Sequence, residues 1–424
     1  MRAPESELLT GLFRAGLAAA DSAHCLPPLL PTTRPPGRTL VLGAGKASAR
    51  MAATLVAHYN ALELGTLSGT VVTCYGHGLR PGEAAQGIEI LEAGHPVPDA
   101  ASVAAGSRIM ELAAGCGPAD RCIVLLSGGA SALLVQPETG ITLADKQRVT
   151  RSLLASGASI TEINTVRRKL SAIKGGGLAR QIRAGEILLF AISDVPGDLI
   201  ATIGSGPLSP DPATLADARD IVARYGIPLA PGVTRGLAER RPTDRAAPAT
   251  FPSVAARVIA NSATAVGAVA RAAEAAGWSA HVLAEVQGPA RAAAQAHARL
   301  IRDFRVRQRR IALISGGETT VSVAHPDARG GRNGEYLLAL ALALGPDAGV
   351  YALAADTDGQ DGTGDNAGAQ LSPDSLKRAT ELGLDAAGHL DRQRSYDFFS
   401  ALGDLEVTGP TRTNVNDLRI ALIH

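Results

Sequence analysis

Short apolar runs alternate along the chain with glycine-rich turns and with alanine- and leucine-rich stretches of helical periodicity. We predict strands at 39–42, 69–73, 122–126, 187–192, 257–260, 280–284, 310–314 and 350–354. Runs such as 123–126 and 311–314 are apolar at every position, which is typical of strands covered by helices on both faces of a parallel sheet. The alternation therefore predicts an α/β fold, with its glycine-rich turns at the strand ends where such sheets bind ligands.

A stretch rich in proline and arginine at 228–252 interrupts this alternation and predicts an exposed connection between two domains. We therefore divide the chain into an N-terminal domain at 1–235 and a C-terminal domain at 250–424. Each half contains one Ser-Gly-Gly turn directly after an apolar strand. These turns are Ser127, Gly128 and Gly129 in the first half, and Ser315, Gly316 and Gly317 in the second. If the two turns face each other, they would form a site between the domains. The alternative is that the two turns are similar by chance.

Composition excludes several classes of partner. The 41 basic and 40 acidic residues give a net charge of +1, so no overall field would attract nucleic acid or an anionic membrane. Aromatic residues make up only 3% of the chain, which argues against a platform for stacked bases. The N-terminus predicts an amphipathic helix, and no apolar run is long enough to cross a membrane. We expect a cytoplasmic protein with reduced cysteines and a local anion site.

A glycine turn at Gly43 and Gly45 precedes Lys46 and an alanine-rich helix, so the backbone could approach an anion at the helix N-terminus. It is not a P-loop, because Ala47 follows the lysine where that motif needs serine or threonine. It is also an incomplete dinucleotide fingerprint, because Ser48 replaces the third glycine and the next strand brings no acidic residue for a ribose. The turn predicts a cation that binds a phosphate or carboxylate, and a solvated lysine is the alternative.

Two further segments predict anion binding. The first Ser-Gly-Gly turn continues to Ser131 and offers hydroxyls and backbone N–H groups, but Leu133 stands where a nucleophile elbow needs glycine. Arg168 and Lys174 belong to a basic stretch at 164–177, which we predict to be one helix that ends on three glycines. Such a helix suits a phosphate-bearing ligand, and a solvated basic face is the alternative.

Polar residues with catalytic chemistry follow other strands. Asp194 follows the strand at 187–192, and at this strand end it is placed to accept a proton or hold Mg²⁺. Asp356 and Asp358 begin an aspartate-rich loop that predicts a divalent cation, with Asx turns as the alternative. Arg332 opens a helix and can clamp a phosphoryl group or carboxylate. Glycine turns, two cations and carboxylates, without a Cys–His pair, are typical of phosphoryl transfer.

Together with residues 94–99, 204–207 and 411–417, these motifs run in order over nearly the whole chain and resemble the glycerate 2-kinases that carry a MOFRL-type C-terminal domain. The resemblance implies two α/β domains, the N-terminal one a Rossmann-like, mostly parallel sheet, with the active site in the cleft between them. It implies phosphorylation of D-glycerate to 2-phosphoglycerate by ATP and Mg²⁺, with Lys46 and Arg332 as the matching active-site cations. Asp194 would then orient or deprotonate the 2-hydroxyl, and Asp356 and Asp358 would hold Mg²⁺.

Two other functions stay open. An NAD(P)H-dependent hydroxypyruvate reductase is the first, since some members of the resembled family carry that name, although the dinucleotide fingerprint is incomplete. A non-catalytic module that binds a sugar acid or nucleotide is the second, and the aspartate-rich loop argues against it. An alanine- and leucine-rich surface helix is compatible with a homodimer, and the oligomeric state stays open.

Overall fold

The structure is a computed structural model, and it describes residues 3–238, 251–307, 310–346 and 349–424. The chain forms two compact units. One comprises Leu26–Ile259, and the other combines Met1–Cys25 with Ala260–His424. Part of the connection predicted at 228–252 lies outside the described residues, since 239–250 are not among them. The predicted N-terminal domain at 1–235 included the first 25 residues, whereas in the structure these residues belong to the second unit.

Helices and strands alternate through both units. The helices are α1 (Pro4–Ala19), α2 (Ser22–Cys25), α3 (Ser48–Ala61), α4 (Ala100–Ala114), α5 (Ala130–Leu133), α6 (Leu143–Ala155), α7 (Ile160–Lys169), α8 (Gly177–Gln181), α9 (Leu215–Arg224), α10 (Pro231–Ala238), α11 (Ser262–Ala275), α12 (Ala290–Arg307), α13 (Arg332–Leu344), α14 (Ser375–Glu381), α15 (Ala386–Asp391) and α16 (Ser395–Leu402). The strands are β1 (Thr39–Ala44), β2 (Leu67–Cys74), β3 (Ile88–Ala93), β4 (Arg121–Leu126), β5 (Glu186–Ile192), β6 (Ala255–Ala260), β7 (Ser279–Val282), β8 (Gly288–Pro289), β9 (Ile311–Ser315), β10 (Thr319–Thr320), β11 (Val350–Asp356), β12 (Gly368–Leu371), β13 (Leu405–Glu406) and β14 (Asp417–Ile423). Short 3-10 helices lie at Pro27–Leu29, Pro196–Asp198 and Ile203–Ser205.

The Leu26–Ile259 unit is built on a six-stranded sheet with the order β3-β2-β1-β4-β5-β6. β1 pairs in parallel with β2 and β4, and parallel pairing continues from β2 to β3 and from β4 to β5. From β1 the chain adds β2 and β3 on one side and then β4, β5 and β6 on the other, as in a Rossmann fold. Such sheets bind ligands at the carboxyl ends of the strands, near the point where the direction of strand addition changes. The predicted Rossmann-like, mostly parallel N-terminal sheet is confirmed.

The core of this sheet fixes the loops that leave it. β1 and β4 are buried at every position. Their aliphatic side chains, Leu42 and Val124 among them, pack with Ile109 of α4 and Leu178 of α8. Because such a core is close-packed, it holds the loops after β1 and β4 at fixed positions.

The second unit contains a six-stranded mixed sheet with the order β13-β12-β11-β14-β9-β7. β14 pairs antiparallel with both β11 and β9, whereas β7 and β9 are parallel. The prediction that the strand at 311–314 lies in a parallel sheet is therefore confirmed for its pairing with β7 and wrong for its pairing with β14. β14 was not predicted from the sequence, because Arg419 interrupts its apolar run. The side chain of Arg419 is buried and hydrogen-bonded to Asp417.

The first helix completes this second unit. α1 is amphipathic as predicted and buries Leu9, Leu12 and Phe13. At Gly16 a Cβ atom would lie 2.7 Å from Leu418 Cδ1 and 3.0 Å from Val269 Cγ2, so the small residue permits close packing on β14 and α11. A segment from the start of the chain thus covers strands from its end.

Part of the predicted connection is helical. α10 begins at Pro231 and buries Val233 and Leu237 in a cluster with α9. Proline suits the first turn of a helix because the N–H that it lacks would have no helical acceptor there. Among the described residues, no helix is both long and apolar enough to cross a lipid bilayer.

His297 of α12 should make the stability of the second unit depend on pH. Its Nδ1 lies 2.7 Å from the Tyr336 hydroxyl, and burial, with the nearby charge of Arg419, lowers the pKa of His297 to about 4. The unfolded chain, with a histidine pKa of about 6.5, then binds a proton more readily than the folded chain. The stabilisation by neutral His297 is therefore complete above pH 6.5 and falls as the pH decreases towards 4. Between pH 7 and pH 5 we expect a loss of about 2 kcal/mol from this residue.

Urea denaturation of wild type and His297→Gln at the two pH values measures this loss, because the contributions of other groups cancel in the difference. The variant is expected to be less stable at pH 7 and to lose less on acidification. Parallel losses in the two proteins would contradict the prediction.

Candidate functional site

The turn between β1 and α3 directs its backbone N–H groups into the protein. The hydrogen bonds join Gly45 N to Val72 O (3.0 Å), Lys46 N to Gly128 O (2.9 Å) and Ala47 N to Ser127 Oγ (2.9 Å). Gly43 lies within β1 itself. The prediction that Gly43 and Gly45 contact a phosphate therefore finds no support in this geometry. Lys46 lies two residues beyond the carboxyl end of β1.

Gly45 permits the close approach of this turn to β4. Its φ is +132°, and a Cβ atom would lie 2.2 Å from Ser127 Oγ and 2.6 Å from Ser127 O.

The variant Gly45→Ala would combine backbone strain with this steric conflict. The variant Gly76→Ala would have only backbone strain, because Gly76 has a φ of +77° and open space around a Cβ atom. We expect Gly76→Ala to lower the free energy of unfolding by about 1 kcal/mol and Gly45→Ala by about 1–3 kcal/mol more. Urea denaturation measures both, and equal losses would contradict the prediction.

Three loops meet beside Lys46. Gly129 has φ +83°, and a Cβ atom there would lie 3.5 Å from Lys46 Cγ and 3.1 Å from His95 Cδ2. Lys46 follows β1, His95 follows β3, and Gly129 follows β4. The loops after these strands are thus in van der Waals contact at the carboxyl edge of the parallel sheet.

The loop after β5 reaches the same edge. Asp194 is half-buried and lies two residues beyond β5. Further along that loop, Ser205 Oγ forms a 2.5 Å hydrogen bond with Ser131 Oγ, and Lys174 Nζ donates to Ser131 O at 2.8 Å. The structure therefore places three predicted site residues at the carboxyl edge of one parallel sheet: Lys46 and Asp194 lie on loops, and Ser131 lies in the short helix α5.

The basic stretch at 164–177 is not one helix. α7 ends at Lys169, and α8 begins at Gly177. Gly175 and Gly176 between them have φ values of +57° and +82°, which an α-helix cannot continue through. The prediction of a single helix that ends on three glycines is therefore wrong.

Within this stretch the structure separates two neighbouring arginines. Arg168 and Lys169 both pair with Asp211, each at an N···O distance of 3.0 Å. Arg168, which we predicted to bind phosphate, thus shares a carboxylate partner of the protein with Lys169. Arg167 instead lines a cavity of about 370 Å³ together with Lys174.

A second cluster surrounds Arg332 at the N-terminus of α13. Its Nε donates to both carboxylate oxygens of Asp417 at 2.9 Å, Nη1 lies 3.2 Å from Glu318 Oε1, and Nη2 donates to Asp356. Burial lowers the pKa of Arg332, but the charges of Asp417 and Asp356 outweigh that effect and raise the pKa above its ordinary value. The guanidinium is therefore permanently charged and fixed by carboxylates.

The second Ser-Gly-Gly turn follows β9 in this cluster. Gly316 O and Gly317 O accept hydrogen bonds of 3.3 Å from Arg419 Nη1, and Arg419 Nη2 donates to Asp417 at 2.6 Å. Ser315 is buried, and within the described parts of the chain its hydroxyl has no hydrogen-bond partner. The carbonyl groups of this turn thus bind a cation of the protein itself.

Comparison with known proteins identifies the family. Residues 8–238 match the domain described as "Domain of unknown function (DUF4147)", and residues 311–417 match the MOFRL family. The chain is 37% identical over 391 residues to the D-glycerate 2-kinase of Thermotoga maritima, which covers 91% of this chain and 91% of that protein. The chain belongs to the glycerate 2-kinase family. The resemblance drawn from its motifs is confirmed.

Other relatives extend the match over the whole length. The crystal structure of a glycerate kinase from Thermotoga maritima is similar to this family member with a TM-score of 0.87 at 34% identity, and covers 99% of each chain. A protein of Agrobacterium vitis named "Putative hydroxypyruvate reductase" is 46% identical over 423 residues, 98% of this chain and 94% of that protein. The fold and domain composition are therefore those of the glycerate 2-kinase family.

In this family member, Asp356 and Asp358 form tight turns at the end of β11. The N–H of Asp358 donates to Asp356 Oδ1 at 3.0 Å, and the N–H of Gln360 donates to Asp358 Oδ1 at 2.8 Å. These are Asx-turn bonds, so the alternative considered from sequence is present. Across residues 3–238, 251–307, 310–346 and 349–424, no group of three or more His, Cys, Asp or Glu residues is placed to hold a metal ion. Two buried carboxylates fit Mg²⁺ only if phosphate and water oxygens complete its coordination.

Two polar residues of this glycerate 2-kinase family member were not predicted as site residues from the sequence. Asp361 accepts hydrogen bonds from the N–H groups of Asn333 (3.0 Å) and Gly334 (2.9 Å), and so caps the helix that begins at Arg332. Burial raises the pKa of Asp361 to about 6. Arg167 is the second residue, and Arg168 was predicted to bind phosphate in its place. A signal for Asp361 was present in the aspartate-rich loop, and helical spacing, which puts Arg167 on about the same side as Lys174, was a signal for Arg167.

Proposed function

We propose that this protein is a glycerate 2-kinase that transfers the γ-phosphoryl group of ATP to the 2-hydroxyl of D-glycerate. The observation that carries the proposal is the similarity to the D-glycerate 2-kinase of Thermotoga maritima over 91% of the chain. The position of Lys46 supports it, since a lysine at the carboxyl edge of a parallel sheet suits a phosphorylated substrate.

The reaction needs one bond to form and one to break. The glycerate 2-hydroxyl oxygen bonds to the γ-phosphorus as the bond from that phosphorus to the bridging oxygen of ADP breaks. Asp194 accepts the hydroxyl proton, and Lys46 and Arg332 offset charge on the transferring phosphoryl group. The turn of Ser127, Gly128 and Gly129 orients the glycerate carboxylate or a phosphate.

Asp356 and Asp358 would hold Mg²⁺ together with phosphate oxygens of ATP. When bound, the ion offsets the negative charge of those phosphates. The charge around Arg332 supports this assignment, because its carboxylate partners, Asp356, Asp417 and Glu318, outnumber it.

A hydroxypyruvate reductase that uses NAD(P)H is the second candidate, because the Agrobacterium vitis relative carries that name. The turn after β1 argues against it. A dinucleotide site directs backbone N–H groups of this turn at a pyrophosphate, whereas here the N–H groups of Gly45, Lys46 and Ala47 donate to protein atoms.

One experiment separates the two candidates. Purified protein is incubated with D-glycerate, ATP and Mg²⁺, and phosphorus NMR resolves 2-phosphoglycerate from 3-phosphoglycerate; a parallel reaction contains hydroxypyruvate and NADH. We expect 2-phosphoglycerate to accumulate without oxidation of NADH. Oxidation of NADH with no phosphorylated product would overturn the proposal and favour the reductase.

A further inference from the structure

His95 has the same place in the fold as two of the predicted site residues. It lies two residues beyond the carboxyl end of β3, as Lys46 lies two residues beyond β1 and Asp194 two residues beyond β5. These strands belong to one sheet, and the pairs β1–β2, β2–β3, β1–β4 and β4–β5 are all parallel, so their carboxyl ends share one edge. The reaction proposed above uses Lys46 and Asp194 but not His95.

The imidazole of His95 lies beside the turn that is proposed to orient an anion. A Cβ atom on Gly129 would lie 3.1 Å from Cδ2 and 3.3 Å from Nε2 of His95, and 3.5 Å from Lys46 Cγ. Gly129 has a φ of +83°, which favours glycine, and the absence of a side chain lets the ring and the lysine stem approach the turn. Nε2 of His95 and the stem of Lys46 therefore border the same end of the first Ser-Gly-Gly turn.

Asp99 holds the loop that carries His95. It accepts a 3.0 Å hydrogen bond from the N–H of Ser102, which caps α4, and a 2.8 Å hydrogen bond from the hydroxyl of Tyr75 in the loop after β2. These bonds join the loop after β3 to two neighbouring segments of the same unit. They restrict the positions that the His95 ring can reach.

The exposure of His95 separates it from a histidine that serves packing. His297 is buried, and its Nδ1 lies 2.7 Å from the Tyr336 hydroxyl. His95 is exposed, although its loop is held in place. Loops that a rigid sheet positions at its surface are where proteins carry binding and catalytic groups. An imidazole Nε2–H can donate a hydrogen bond to a phosphate oxygen.

We propose that His95 is a further catalytic residue, whose Nε2–H donates a hydrogen bond to an oxygen of the transferring phosphoryl group beside Lys46. This role rests on the proposed kinase function. A donor placed at the phosphoryl oxygens stabilises their charge in the transition state. His95 forms no covalent bond in this role, and Asp194 remains the group that accepts the hydroxyl proton.

Steady-state kinetics with D-glycerate and ATP compare wild type, His95→Ala and His95→Gln. The control is His24→Ala, which makes the same change at an exposed histidine of α2. We expect His95→Ala to lower kcat by about 10²- to 10³-fold with little change in KM, because the hydrogen bond strengthens in the transition state. His95→Gln keeps an N–H donor and should lose less, and the control should match wild type.

Circular dichroism establishes that the variants fold. A near-normal kcat in folded His95→Ala overturns the proposal. Equal losses in His95→Ala and His95→Gln overturn it as well, because the hydrogen-bond donor would then be irrelevant.

NMR of the histidine ring C–H groups tests the contact without turnover. The chain has nine histidines, and the His95 signal is the one that His95→Ala removes. At fixed pH we expect this signal to shift on addition of 2-phosphoglycerate and much less on addition of D-glycerate, which lacks the phosphate. Equal shifts with the two ligands would place His95 at the carboxylate and overturn the proposal, as would no shift with 2-phosphoglycerate.

An assay for phosphoglycerate on wild type keeps the two proposals apart. Product from wild type with a normal kcat in His95→Ala refutes only the role of His95. If wild type forms no product while 2-phosphoglycerate, and not D-glycerate, still shifts the His95 signal, only the kinase is refuted.

Discussion

Lys46→Ala is expected to lower the turnover number for phosphoglycerate formation by about 10²- to 10³-fold, the usual effect of removing one group that stabilises transition-state charge. Lys46 lies two residues beyond β1, where its backbone N–H donates to Gly128 O and its Cγ lies beside Gly129. Because the charge on the phosphoryl group develops during transfer, the loss should fall mainly on kcat rather than KM. Steady-state kinetics with D-glycerate and ATP measure it.

Lys46→Met and Lys46→Arg are the matched variants. The first keeps most of the aliphatic stem and should be as impaired as Lys46→Ala, and the second keeps the charge and should retain more activity. Circular dichroism establishes that all three variants fold. Near-normal turnover of a folded Lys46→Ala protein would remove this lysine from the mechanism.

Arg332→Leu is expected to reduce both stability and activity. The substitution leaves Asp417, which is fully buried, with Arg419 as its remaining arginine partner, and removes the ion pair of Asp356. Breaking a buried ion pair by removing one partner costs about 3–5 kcal/mol, and urea denaturation should show a loss of this size. Turnover should fall as well, because the second proposed cation is lost.

Arg329→Gln is the control for this change. Arg329 lies near the same helix and pairs with Asp397, but its side chain is 57% exposed, and exposed ion pairs contribute about 0–1 kcal/mol. If Arg332→Leu lowers the free energy of unfolding no more than Arg329→Gln does, the ion pairs of Arg332 do not stabilise the fold and the prediction is wrong. The double variant Arg332→Leu/Asp356→Asn should recover part of the loss, because it also neutralises a buried carboxylate that has lost Arg332.

Local patterns in the sequence determined the α/β class, many of the strands and the loops that carry the candidate site residues. An apolar run such as 123–126 can only be buried, and the turn that follows it must then lie at a strand end. The order of the strands in the first sheet brings the loops of Lys46, Gly129 and Asp194 to one edge. For these three residues, their positions shortly after apolar strands were sufficient to predict that they lie at this edge of the sheet.

Only the tertiary structure decided which polar groups pair. Arg167 and Arg168 are adjacent and chemically identical, yet one faces a cavity and the other binds Asp211 from a distant segment. The same holds for Asp417 of β14, a strand in the middle of the mixed sheet, whose carboxylate accepts hydrogen bonds from both Arg332 and Arg419. Backbone periodicity is a local property, whereas the free energy of a buried charge depends on the partner that the fold brings to it.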